Sequence, residues 1–366
     1  MKPIICGLFL SMLFSLISNS TSNFTVTNLV ANTTGYGAGI IDPDLLNPWG
    51  LVFNGNGDPL VADNGSDYLV TSYEPNGNIR AGNIFDVPGF VNDNPTFPTG
   101  LAINYSSSDF LFTTSAMGPV GPAQLLIAGE NGTVLAYNRN VNLSTAPIKI
   151  NREVGAVYKG IALAKNQGNQ YLYVTNLATT ANNCQVEMFD SNFNYVKSFT
   201  DPAIASLSGP YPYCPFGIAN INGLLYVTFA QSNGHDDVDG AGAGYVSVFN
   251  PDGSVRTSKL IAQGALNSPW GITSVPKQFG NLSKNTLLVG NFGDGKINAY
   301  NINTGAYIST LSTGSTPIVI DGLWSIEFAP THQNHILSSC RCPQKLFFTA
   351  GPDDEADGLL GVINNQ

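Results

Sequence analysis

Apolar residues along the chain fall in short runs, not in long amphipathic stretches. LVFNG, YLYVT, LLYVTFA, YVSVF and TLLVGNF are each closed by turn-forming residues. No segment keeps a 3.6-residue apolar period over several helical turns, so the pattern predicts strands throughout.

The runs belong to a recurring cassette. A Pro or aromatic residue precedes a Gly and an apolar strand, a second strand ends in a polar loop, and a third ends in an Asn/Asp-rich turn. The opening reads NPWGLVF from Asn47, FPTGLAI from Phe97, VYKGIAL from Val157, CPFGIAN from Cys214, SPWGITS from Ser268 and DGLWSIEF from Asp321. The anchor glycines Gly50, Gly100, Gly160, Gly217 and Gly271 are separated by 50, 60, 57 and 54 residues. That period, with several short strands in each copy, predicts an all-β fold, a six-bladed β-propeller, in preference to an open solenoid. The last copy, ending in GLLGVINN, lacks a fourth strand. The unassigned strand-like segment 24–32 is expected to supply it and so close the ring.

Composition adds location. Lys2 precedes an apolar run over residues 4–17 and then SNSTSN, where Ser18 and Ser20 suit a cleavage site. Residues 1–20 are expected to be a signal peptide and 21–366 a single propeller domain. The protein would then be secreted, or carried on a virion or cell surface, with no membrane span in the mature chain. With 15 Lys plus Arg against 25 Asp plus Glu, the net charge of −10 argues against nucleic-acid partners. A glycan or protein surface is the expected kind of partner.

In a propeller, the loops entering the innermost strands and those leaving the second strands share one face. That face is expected to gather Asp63, Asn64, Glu130, Asn131, Asn176, Gln231, Asn291 and Asp294. Longer loops would add Asp236, Asp237, Asp239, Asp353, Asp354, Glu355 and Asp357. Oxygen ligands of this kind suit Ca²⁺, with Asp63, Asn64, Glu130, Asn176, Asn291 and Asp294 the candidate metal residues, although tight turns call for the same residue types. No loop has the EF-hand spacing. Trp49 and Trp270 are expected to wedge between neighbouring blades as core.

Catalytic motifs are scarce: there is no GxSxG elbow, HExxH helix or Walker loop. His235, beside Asp236 and Asp237, is the candidate general base, though a solvated loop histidine needs no such role. His332, His335, Cys340 and Cys342 lie close together but match no zinc spacing, and an inserted loop is the plainer account. Cys184 and Cys214, in adjacent copies, are the candidate disulfide. Sequons at Asn19, Asn23, Asn32, Asn64, Asn104, Asn131, Asn142 and Asn281 permit glycosylation, but their number is near chance for so Asn-rich a chain.

The strings ALNSPWGIT, LLVGNFGDGKINAYNINTGAYISTL, IVIDGLWSI and FFTAGPDDEADGLLGVI, with DPDLLNPWGL, AVYKGIAL and HDDVDGAGAGYVSVF, resemble an uncharacterised family of secreted six-bladed propellers related to NHL-repeat and gluconolactonase-like propellers. The resemblance implies fold and export. Its gluconolactonase-like branch would imply a channel Ca²⁺, for which Asp63, Glu130, Asn176 and Asn291 occupy comparable strand ends without matching that motif residue by residue. Two readings follow: a non-catalytic binding or structural glycoprotein, and a Ca²⁺-dependent lactonase or esterase-like hydrolase.

Overall fold

The computed structural model describes residues 23–65, 69–80, 85–86, 90–91, 94–142, 145–152, 155–179, 183–330 and 344–365. The expected signal peptide, the Asn19 sequon and the residues His332, His335, Cys340 and Cys342 lie outside them.

Six antiparallel sheets follow one another along the chain. Their innermost strands are Pro48–Phe53, Pro98–Ile103, Tyr158–Asn166, Tyr213–Ile221, Pro269–Ser274 and Leu323–Phe328, numbered here as blades 1 to 6. The sixth blade is completed from the other end of the chain. Phe24–Ala31 pairs antiparallel with Leu359–Asn365, in a register running from Phe24 opposite Asn365 to Ala31 opposite Leu359. This is the closure expected of segment 24–32, and it ties the first described strand to the last, leaving no gap in the ring.

Alternation along the strands distributes the core. Hydrophobic clusters lie at each of the six junctions between neighbouring blades; the cluster joining blades 3 and 4, for instance, brings Val186 and Phe199 against Val227 and Phe249. A seventh cluster lies on the axis and contains Trp49, Phe216, Trp270 and Trp324.

Every innermost strand carries a register shift at the same place, between Pro48 and Leu51, Pro98 and Leu101, Tyr158 and Ile161, Pro215 and Ile218, Pro269 and Ile272, and Leu323 and Ile326. A bulge re-aims the side chains around it, and here it brackets the anchor glycine in five blades and Ser325 in the sixth. Glycine is required by the approach of the next blade. A Cβ on Gly217 would lie 2.0 Å from the Trp270 carbonyl oxygen, and one on Gly50 2.5 Å from that of Thr99. Second-strand threonines stitch these approaches together. Thr175 Oγ1 accepts from the Gly160 amide at 2.7 Å and donates to the Phe216 carbonyl of the next blade at 2.6 Å. Thr349 does the same between Ser325 and Trp49.

Candidate functional site

The residue before each anchor position faces the axis at the end where the innermost strands begin. Reading round the ring, these residues are Trp49, Thr99, Lys159, Phe216, Trp270 and Trp324. Trp324 stacks on Trp49 with ring centroids 3.6 Å apart and meets Trp270 edge to face at 5.6 Å. The tryptophans are therefore core, but the expectation that Trp49 and Trp270 wedge between blades is corrected. The bulge turns them inward, where residues of blades 1, 5 and 6 meet across the axis and close the channel at this end.

Lys159 is the one charged member of that ring. Its side chain is 1% exposed, its ammonium contacts the Glu130 carboxylate, and it lies 3.3 Å from Asp236 and 4.7 Å from the centroid of the Trp49 ring. Burial alone would lower the Lys159 pKa, but Glu130 and Asp236 outweigh it and hold the ammonium above its ordinary value. Glu130, Asp236 and Glu355 each follow the second strand of an even-numbered blade, and Asp237 lies beside Asp236. Asn47 positions Glu355: its amide donates to Glu355 Oε2 at 2.6 Å while its oxygen accepts from the Trp324 indole at 3.1 Å. The loop carrying Glu355 is strained. Asp353, Asp354 and Glu355 have φ of +58°, +52° and +66°, three successive non-glycine residues in the left-handed region. Such strain gathers at sites where the surrounding structure demands one geometry.

The protonation states follow from these contacts. The bond from His235 pulls Asp236 down to about 2, with Lys159 adding to it, and the same bond raises the His235 imidazole against its partial burial. Burial pushes Asp237 up to about 6, offset in part by Ser268 and Lys159. Burial also raises Glu355, against the bond from Asn47. The mouth therefore holds a protonated lysine that is neither base nor nucleophile, an exposed histidine biased towards its cation, the exposed carboxylate of Asp236 and the half-buried carboxyls of Asp237 and Glu355.

The candidate metal residues are brought to several places. Glu130, His235 and Asp236 have ligand atoms within 4.8 Å of one another and form the one such group among the described residues. The Lys159 ammonium already contacts both carboxylates, so a divalent cation there would have to displace it. Asp63 turns into blade 1, accepting from Thr71 Oγ1 at 2.8 Å, and burial raises its pKa. Asn176 accepts from the Val157 amide and donates to Glu187 at 3.0 Å. Asn291 donates to Asp294, which pairs with Lys296 at 3.0 Å. Asn64 is buried and hydrogen-bonded to Asn47. Asp357, expected at the mouth, instead accepts from Asn32 and Tyr36 beside the closing strand.

Cys184 and Cys214 form a disulfide that joins blades 3 and 4 beside the axial tryptophans. Among the described sequons, Asn64, Asn104 and Asn131 are buried, Asn32 and Asn142 are half-buried, and Asn23 and Asn281 are exposed. The amides of Asn32 and Asn104 donate inside the fold. No helix among the described residues is long and apolar enough to cross a membrane.

Comparison with solved structures places the chain among propellers. The soluble aldose sugar dehydrogenase of Escherichia coli superposes with a TM-score of 0.55 at 10% identity, covering 94% of this chain and 100% of that one. The α-L-arabinanase of Penicillium chrysogenum complexed with arabinobiose gives 0.54 at 12% identity, covering 93% and 98%. At these identities the likeness is one of fold. No protein-family model matches the chain. In sequence, an uncharacterised protein of Acanthamoeba polyphaga mimivirus is 33% identical over 354 residues, covering 94% of this chain and 81% of that protein. A second from the same virus is 32% identical over 336 residues, covering 88% and 81%. The chain is a six-bladed β-propeller that belongs to the same family as these uncharacterised mimivirus proteins.

Proposed function

We propose that this propeller is a non-catalytic binding protein, exported to the outside of a cell or particle, that presents the acidic mouth around Lys159 to a neutral glycan on a partner surface. The carrying observation is the fixed ion pair at the axis. Lys159, buried and protonated between Glu130 and Asp236, fills with the protein's own cation the place where a catalytic cation would have to sit. Around it Asp236, Asp237 and Glu355 offer hydrogen-bond acceptors suited to hydroxyl groups, and the net charge of −10 disfavours polyanions. The apolar run at residues 4–17 supports export. Sugar dehydrogenases and an arabinanase share the fold, and what they act on lends only the general precedent of a sugar at a propeller.

Immobilised neutral glycans are the probe. Retention by the unmodified chain, lost about tenfold or more on combining Asp236→Asn with Glu355→Gln, is the expected result, since removing two acceptors costs at least about 1.4 kcal/mol. Equal retention by the double variant would contradict the assignment of the mouth. The second reading, a Ca²⁺-dependent lactonase or esterase, draws on the proximity of Glu130, His235 and Asp236. Turnover of a lactone or ester panel, abolished by EDTA, would establish it in place of the first.

A further inference from the structure

The other half of the channel differs in character from the mouth. Two residues beyond each anchor position, the innermost strands carry Val52, Ala102, Ala162, Ala219, Thr273 and, in blade 6, Glu327. Five copies build this level of the ring without a carboxylate, so blade geometry does not call for one. Glu327 borders a cavity of about 290 Å³ on the axis and a second of about 470 Å³ that opens among the hairpins of the face opposite the mouth. It is the one acidic or basic side chain among the described residues that line them. The remaining walls of the axial cavity are mainly Gly, Ala, Ile and Leu, the second adds the polar Asn220, Asn222, Thr273 and Ser274, and no ion pair to Glu327 is found among the described residues. A half-buried carboxyl with no cationic partner among the described residues costs stability and persists where something uses it.

We propose that this half-channel is a binding site for a small aliphatic ligand ending in a primary ammonium, anchored by the Glu327 carboxylate with its alkyl stem against the aliphatic walls. The charge requirement follows from a single anionic side chain among the described residues that line the channel. The size limit follows from the cavities and from the tryptophans that stop the channel at its far end. The site is separate from the mouth and does not depend on what the mouth binds.

Burial pushes Glu327 up to about 7, with the Phe328 amide opposing it and no charged neighbour contributing. Only its ionised form pairs with an ammonium, so binding should strengthen as pH rises through that value. Calorimetry of the full chain with n-butylamine, which stays protonated at both pH values, is the test. Saturable binding is expected, about tenfold tighter at pH 8 than at pH 6, the ratio of ionised carboxyl fractions around a pKa of about 7. Glu327→Gln should weaken it about tenfold or more at pH 8 and remove the pH dependence. n-Butanol, which has the same stem and no charge, separates an ionic site from a greasy cavity without any variant. No saturable heat, equal binding of butanol, or an undiminished affinity in Glu327→Gln would each overturn the proposal.

Discussion

The ammonium of Lys159, from the innermost strand of blade 3, contacts the carboxylate of Glu130, which follows the second strand of blade 2, and both are buried. Breaking such a pair from one side strands a charge in the interior, whereas replacing both partners by groups of similar shape removes the problem. Glu130→Gln should therefore destabilise the fold by about 3 kcal/mol, and Lys159→Met alone by a similar amount. The double variant Glu130→Gln with Lys159→Met should recover most of the loss. Urea denaturation of the four proteins measures the coupling, and strictly additive losses would show that the contact is not an interaction.

Gly217 tests the blade-to-blade approach. Its Cβ would meet the Trp270 carbonyl oxygen at 2.0 Å, a backbone atom that cannot swing aside. Gly217→Ala should lower stability by about 3 kcal/mol or prevent folding, whereas Gly39→Ala, which meets no atom within 4 Å, should stay within about 0.5 kcal/mol. Thermal melts followed by circular dichroism distinguish them.

Acid and base should act on the mouth in opposite senses through two adjacent residues. Asp237 titrates at about 6 in the fold against its ordinary 3.8, so the folded chain holds the extra proton in between. Its contribution is neutral below 3.8, turns against the fold as pH rises towards 6 and stays unfavourable above. Asp237→Asn should thus raise the melting temperature at pH 8, by the equivalent of at most about 3 kcal/mol, and leave it unchanged at pH 3. Asp236, held at about 2, runs the other way: its stabilisation is present above 3.8 and is lost as pH falls through 2. Melting temperature against pH for the two single Asn variants should show the opposed trends.

The Cys184–Cys214 bridge closes a loop of 30 residues in sequence. Chain entropy alone makes such a closure worth about 2–4 kcal/mol. Replacing both cysteines by Ser should lower the urea midpoint correspondingly and remove any response to reductant. A parent chain indifferent to reductant would count against the bridge.

The ring was readable because six copies of one cassette recur, five of them with the glycine at the bulge, and because the last copy lacked a strand that residues 24–32 could provide. The site was less readable for two physical reasons. Lys159 and Glu327 each break an otherwise uncharged position of the cassette, a signal visible only when the six copies are compared position by position: Lys159 against Trp49, Thr99, Phe216, Trp270 and Trp324, and Glu327 against Val52, Ala102, Ala162, Ala219 and Thr273. The meeting of Glu130 with Asp236 is set by curvature, which brings blades 2 and 4 together over the axis, and by loop conformation, as in the left-handed run at residues 353–355. Spacing along the chain encodes neither. Strand-end position alone grouped Asp63, Asn176 and Asn291 with Glu130, but their side chains turn back into their own blades or to loop carbonyls.

The central claim is that Lys159 is the cation of the mouth. Its most direct test is the melting temperature of the purified chain in excess EDTA and across a calcium titration. No saturable shift in either direction is expected, because the carboxylates of Glu130 and Asp236 that a calcium ion would need are already paired with the ammonium. A saturable rise with calcium, lost in Glu130→Gln, would contradict it and place a metal ion where the lysine has been assigned.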